Sequence, residues 1–344
     1  MRLPQQLPFV GRVEEVARMQ KAWSRRQPVI LVGESGVGKT RLAADFAATQ
    51  GPYALLRAQR GDGQMPLASY ARALRELAGD PADLSALEPW VAAELARLLP
   101  ELGPPLPPLR NAEDRRRFDE ACLRAWHAVA GASFDTVVLD DWQWADPASR
   151  ALWARAAARR RKEGGGAIEI LTWRGHPDEA ELLASTDAMG AEMRVLAPLD
   201  DAAVQELVRQ LSGSAEPLRF AQRLRSATGG HPYFIDETLR DLAERALLRG
   251  DVAGRWCTPF DDDAAGYQDL PLPPSVEVGG VWAMGDSPPV LLTALGESTC
   301  TLEPADPTAS GARVSVCTAV DVRLLLADLM AKLRQHERTV SDAP

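Results

Sequence analysis

The chain has 344 residues, 46% of them hydrophobic and 25% charged, with a formal net charge of −9. That balance fits a globular protein of about two or three domains, and the acidic excess argues against broad electrostatic binding to nucleic acid or an anionic membrane. No apolar run reaches the roughly 18 residues of a membrane span, and Met1 to Pro8 lacks a signal-peptide core, so the expected location is cytoplasmic.

Short apolar runs alternate with longer helical patterns over the first two hundred residues, which predicts an α/β fold with a doubly wound parallel sheet. The first expected strand, Pro28 to Val32, runs into Gly33-Glu34-Ser35-Gly36-Val37-Gly38-Lys39-Thr40, and Arg41 to Ala47 continues as a helix. This is the form of a phosphate-binding loop, and it makes the sheet a P-loop NTPase core. The glycines let several N–H groups turn inward around a polyphosphate, and the helix start adds the positive end of its dipole. Lys39 is then expected to reach the β and γ phosphates of ATP or ADP, and the Thr40 hydroxyl to ligate Mg²⁺.

A second strand is expected over Tyr53 to Ala58, and helices over Pro66 to Leu77, Glu88 to Leu98 and Arg115 to Ala130. Pro100 to Pro108, with five prolines, reads as a rigid surface connection. The strand Thr136 to Asp140 ends in two carboxylates. Asp140 would hold Mg²⁺ through its water shell, and Asp141 would orient or deprotonate the attacking water. The long separation of Lys39 from Asp140 suggests an additional strand between the two motif strands, for which Tyr53 to Ala58 is the candidate. A strand over Ala167 to Trp173 brings Thr172 and Arg174 to the same edge, with Arg174 as the candidate sensor of the γ phosphate. Trp142 and Trp144 read as packing under the site, Asp146 before Pro147 as a helix cap, and Arg159 to Lys162 as a solvated helix end. A fifth strand is expected over Met193 to Ala197.

Asp200-Asp201-Ala202-Ala203-Val204 reads as a capped helix start, with helices continuing through Leu248. The expected organisation is therefore a core over residues 1–199, a small helical lid over 200–249 and a divergent, partly irregular segment over 250–344. Only Asp321 to Val340 again looks like a long helix. Cys122, Cys257, Cys300 and Cys317 lack metal-binding spacing and read as reduced thiols.

Four motifs together resemble one known group. They are Pro8-Phe9-Val10-Gly11-Arg12 followed by Glu14-Glu15; the GESGVGKT loop; VVLDDWQWADPAS ending at Ser149; and Ala227-Thr228-Gly229-Gly230-His231-Pro232-Tyr233-Phe234. The chain from about Leu7 to Leu248 resembles the STAND class of AAA-related signalling ATPases, the origin-recognition-like module of large bacterial transcription activators and some adenylate cyclases. The resemblance implies a nucleotide switch, closed and monomeric with ADP, open and forming a homo-oligomer with ATP. It also implies that Phe9, Val10, Gly11 and Arg12 contact the adenine side and that His231 and Pro232, on the lid, sense the bound phosphate. By itself, Gly229 to Pro232 reads as a helix-breaking turn, and its placement before the helix over Tyr233 to Leu248 favours the sensing role instead.

Leu270 to Val276 again resembles the family, in which a winged-helix module follows. Residues 277–319 instead carry Gly, Pro, Thr, Ser and Cys without helical periodicity. Two explanations stand: an unrelated extension, or a reading frame that leaves the family after about Val276. The functional expectation is an ATP-binding regulatory switch with slow Mg²⁺-dependent hydrolysis, without evident DNA contact. The alternatives are an origin-recognition-like ATPase acting on DNA and a nucleotide-binding fragment without output.

Overall fold

The structure, a computed structural model, describes residues 3–79, 84, 87–131, 133–213, 218–250, 256–258, 270, 290–296 and 299–304. The chain divides into two compact units, one of Arg12–Ala197 and one of Met1–Gly11 with Pro198–Pro344.

In the first unit, α1 (Val13–Ser24) leads into β1 (Val29–Gly33), α2 (Lys39–Gln50) and β2 (Tyr53–Arg57). Next come α3 (Ala68–Ala78), α4 (Pro89–Leu95) and α5 (Ala112–Trp126), the last running into a π turn at His127–Gly131. The unit closes with β3 (Thr136–Asp140), α6 (Pro147–Glu163), β4 (Ile168–Arg174), α7 (Ala180–Met189) and β5 (Glu192–Val195). The five strands form one parallel sheet in the order β2-β3-β4-β1-β5. All five strands expected from the sequence are present, each displaced by three residues or fewer at either end. They are legible because β1 and β3 are buried on both faces, which requires continuous apolar runs.

Alternate residues of these strands face different helices. Val29, Leu31, Val138 and Ile170 pack with Met19 and Ala22 of α1 and with Leu42, Ala43 and Phe46 of α2. Ile30, Val32, Val137, Leu139, Leu171 and Trp173 pack on the other face, with side chains of α3 to α7. Trp153 of α6 is the hub of that second layer, with its ring centroid 5.3 Å from Trp126, 5.8 Å from Tyr70 and 4.8 Å from Trp142.

The order corrects one expectation. The strand between β1 and β3 in the sheet is β4, and Tyr53–Arg57 is the edge strand beyond β3. Burial explains the placement: β2 alternates exposed and buried along its length, whereas six of the seven residues of β4 are buried. A second correction concerns Arg160, expected in a solvated helix end. It is buried and donates to Glu169 of β4 at 2.5 Å and to the Arg26 carbonyl at 2.7 Å, which balances a carboxylate inside the sheet.

The second unit contains α8 (Asp201–Ser212), α9 (Leu218–Thr228) and α10 (Pro232–Glu244). Asp200 caps α8 by accepting from the Ala203 N–H at 2.8 Å. Val204, Leu207, Phe220, Leu224, Ile235 and Leu239 make its core together with Leu7 and Val10. Two short antiparallel pairs follow, Arg249–Gly250 with Trp256–Cys257 and Val290–Gly296 with Thr299–Pro304. The segment Pro271 to Val276 and the helix expected over Asp321 to Val340 lie outside the described residues. Among the described residues no helix is long and apolar enough to cross a membrane.

Candidate functional site

The C-terminal ends of the parallel strands bring Gly33, Arg57, Asp140 and Arg174 to one edge of the first unit. Gly33 is in register with Arg174, and Arg57 with Asp140. From Gly33 the loop Gly33 to Thr40 turns into α2, with Gly33, Gly36 and Gly38 at φ +153°, +80° and +99°. At Gly33 the requirement is also steric, because a Cβ would lie 2.8 Å from the Leu196 carbonyl oxygen. Val37 is buried in the loop, and Arg41 just past it pairs with Asp45.

Arg12 braces this loop. Its buried guanidinium donates to the carbonyls of Val37 at 3.1 Å and Ala197 at 2.8 Å and pairs with Glu15 at 3.0 Å. The Lys39 ammonium donates to the carbonyls of Gly33 at 2.7 Å and Glu34 at 2.6 Å. Burial, and after it the Arg174 guanidinium, push the Lys39 ammonium down to about 8, against the pull of Asp141, Asp140 and Glu34.

Across from the loop stands the buried carboxylate of Asp140. One oxygen accepts from the Thr40 hydroxyl at 2.6 Å and the Thr172 hydroxyl at 2.7 Å. The other accepts from Arg57 Nε at 2.9 Å and is ion-paired with a terminal nitrogen of the same guanidinium at 2.8 Å. Thr172 Oγ1 in turn accepts from the Asp141 N–H at 2.9 Å, so this hydroxyl is used within the protein instead of facing a phosphate. Asp141 sits in the left-handed region at φ +54°, which a short polar side chain tolerates. Its carboxylate accepts from Gln143 at 3.3 Å and Arg174 at 3.4 Å.

The oxygen pair of Thr40 and Asp140 fits Mg²⁺, which keeps most of its waters and takes one or two protein oxygens beside phosphate. A cage of carboxylates is unnecessary for this ion, and among the described residues no group of three or more His, Cys, Asp or Glu forms one.

One residue at this edge was missed in the sequence, and another, read as a helix cap, does more than that. Arg57 becomes visible only once β2 is placed beside β3. Asp146 does more than cap α6 through the Ser149 N–H at 2.9 Å: it also accepts from the N–H groups of Leu67 at 2.7 Å and Ser69 at 3.2 Å. The start of α3 is thereby tied to the start of α6. Trp142 packs as expected, while Trp144 carries the Arg60 guanidinium 4.8 Å from its ring centroid.

The remaining candidates lie in the second unit. Phe9 is partly exposed, Val10 is buried in the helical core, and Gly11 at φ +68° leaves no room for a Cβ beside Ala203. His231 precedes Pro232 at the start of α10 and stacks on Phe234 with centroids 4.4 Å apart. Gly229 and Gly230 make the turn from α9, and the Gly230 carbonyl accepts from the Leu199 N–H at 2.8 Å.

Residues 8–168 match the family model of the AAA ATPase domain. No curated protein matches the chain. Among solved structures, Cdc6p from Pyrobaculum aerophilum is 15% identical at a TM-score of 0.43, covering 71% of this chain and 64% of that one. The Thermotoga maritima RuvB Holliday junction branch migration motor is 14% identical at 0.39, covering 69% and 65%. Aeropyrum pernix ORC1, solved in complex with DNA, is 14% identical at 0.39, covering 71% and 63%. The chain thus spans a little under two thirds of the length of each. The domain match supports an ATP-binding P-loop AAA ATPase domain.

Proposed function

We propose that this chain is a nucleotide-operated regulatory switch that binds ATP and Mg²⁺ at the C-terminal edge of its parallel sheet and hydrolyses ATP slowly. The observation that carries this reading is the contact of the Thr40 hydroxyl with the Asp140 carboxylate at 2.6 Å, beside the Lys39 ammonium.

In this reading the inward N–H groups of Gly33 to Thr40 take the phosphates, Lys39 neutralises the β and γ groups, and Arg41 follows at the helix start. Thr40 and Asp140 hold Mg²⁺, which supplies charge neutralisation to the phosphate oxygens. Asp141 orients the attacking water and Arg174 registers the γ phosphate. Slow turnover is in keeping with the engagement of Asp141 with Arg174 and Gln143, which occupies the carboxylate that would position the water. Phe9, Val10, Gly11 and Arg12 serve the adenine side, and His231 with Pro232 serves the helical lid over residues 200–249. These assignments, the core over 1–199 and the divergent segment over 250–344 rest on the resemblance to STAND-class regulators. The net charge of −9 weighs against a ring that acts on DNA.

Light scattering on the purified chain tests the switch. A larger mass in ATP and Mg²⁺ than in ADP and Mg²⁺ is expected, and one mass in both nucleotides would contradict it.

A further inference from the structure

The proposed metal side of the site carries a cation of its own. Arg57, the last residue of the edge strand, donates a hydrogen bond from Nε to one oxygen of Asp140 at 2.9 Å and forms an ion pair with it, a terminal nitrogen lying 2.8 Å from the same oxygen. The partners differ in exposure: the Arg57 side chain is 62% exposed and that of Asp140 is 1% exposed. The other Asp140 oxygen is filled by the Thr40 and Thr172 hydroxyls. Thr40 can donate its proton to Asp140 and still offer a lone pair to Mg²⁺. The waters of a hydrated Mg²⁺ must instead find a carboxylate oxygen to donate to, and the one not filled by hydroxyls is held by Arg57.

We infer that Arg57 competes with hydrated Mg²⁺ for Asp140 and thereby sets the metal dependence of nucleotide binding. This inference rests on the proposed ATP site. While paired, Arg57 neutralises Asp140 and lets a metal-free polyphosphate approach. When Mg²⁺ enters, its charge and waters take over that role and Arg57 is released towards solvent. Release is inexpensive because the 62% exposed guanidinium rehydrates readily and the incoming cation keeps the buried carboxylate compensated. Glu76 of α3 lines the same small pocket as Arg57 and Asp140 and pairs there with Arg72 at 3.6 Å. The backbone at Arg57 is held independently of its side chain. The Ala58 N–H donates to the Asp140 carbonyl at 2.9 Å, and Arg72 donates to the Arg57 carbonyl at 3.1 Å.

The test is calorimetric titration of the full chain with ATP, once in EDTA and once in excess Mg²⁺, for wild type, Arg57→Ala and Arg57→Lys. The readout is the ratio of the two dissociation constants, metal-free over metal-bound. Arg57→Ala is expected to raise that ratio roughly three- to tenfold, through weaker metal-free binding and stronger Mg²⁺ binding, with Arg57→Lys nearer wild type. If Arg57 only holds the carboxylate in place, Arg57→Ala lowers the ratio, because a wandering Asp140 grips the metal less well. An unchanged or lowered ratio, with wild type still binding ATP in a Mg²⁺-dependent way, overturns this inference alone. A wild-type chain that binds no ATP in either condition overturns the proposed site as well.

Discussion

Thr40 and Asp140 are 100 residues apart in sequence, yet the hydroxyl of one donates to the carboxylate of the other at 2.6 Å. The contact joins the first turn of α2 to the end of β3, the two elements that a phosphate-binding loop and an acidic strand must bring together. Replacing Asp140 tests both halves of that connection. Asp140→Asn keeps the shape and removes the charge that receives two hydroxyls and Arg57. Stability is expected to fall by about 2–3 kcal/mol in urea unfolding, and Mg²⁺ to lose its effect on ATP affinity. A loss under about 0.5 kcal/mol would mean that Asp140 is solvated in the folded chain.

Thr172 links the two acidic residues, since its hydroxyl donates to Asp140 and accepts from the Asp141 N–H. Thr172→Val preserves volume, leaves the part-buried Asp141 N–H without its acceptor and removes a donor to buried Asp140, at an expected cost of about 1–3 kcal/mol. Asp141, already in a left-handed conformation, then loses its anchor, and the proposed slow ATPase activity should decline further. Thr172→Ser should restore both stability and turnover. Equal stability of the valine and serine variants would remove this link.

Asp146 accepts from four donors: the N–H groups of Leu67, Ser69 and Ser149, and the Ser149 hydroxyl at 2.6 Å. Two helix starts depend on one buried side chain, and Leu67 sits beside it at φ +64°. Asp146→Ala is therefore expected to cost about 3 kcal/mol or more in chemical denaturation, with Asp146→Asn in between. A cost below about 1 kcal/mol, the range of a single helix cap, would show that the tie to α3 contributes nothing.

Lys39 gives a pH dependence with a definite sign. Burial, then Arg174, lowers its ammonium from 10.5 to about 8, so the charge opposes folding. That cost is complete below about pH 8 and is relieved as pH rises towards the unfolded value of 10.5. Nucleotide binding runs the other way. A bound polyphosphate favours the protonated amine, so above about pH 8 binding takes up a proton, and the ATP dissociation constant should rise by up to about tenfold per pH unit. Lys39→Arg, always charged, should remove that break, and Arg174→Ala should move it to higher pH. A flat affinity between pH 7 and 10 would show that the buried ammonium is not what holds the phosphate.

Much of this arrangement could be read before any coordinates. Gly33 to Thr40, the acidic pair after β3, the cap at Asp146 and the turn before Pro232 are local patterns, fixed by backbone geometry over a few residues. The central strands β1, β3 and β4 were legible because a parallel sheet covered on both faces demands apolar runs. What could not be read depends on which strands are neighbours. Arg57 meets Asp140, and Glu169 meets Arg160, through sheet order and helix crossing; sequence spacing contains neither. Thr172 lies at the edge expected for it, and its bond to Asp140 follows from β4 lying beside β3, a neighbour relation that spacing does not contain.

The central claim, that Lys39, Thr40 and Asp140 together bind ATP with Mg²⁺, is tested most directly by calorimetry of wild type against Lys39→Ala at pH 7.5, freed of copurifying nucleotide. A saturable isotherm near one ATP per chain is expected for wild type, weakened at least about tenfold by Lys39→Ala. No binding by wild type, or superimposable isotherms for the two proteins, would contradict the account.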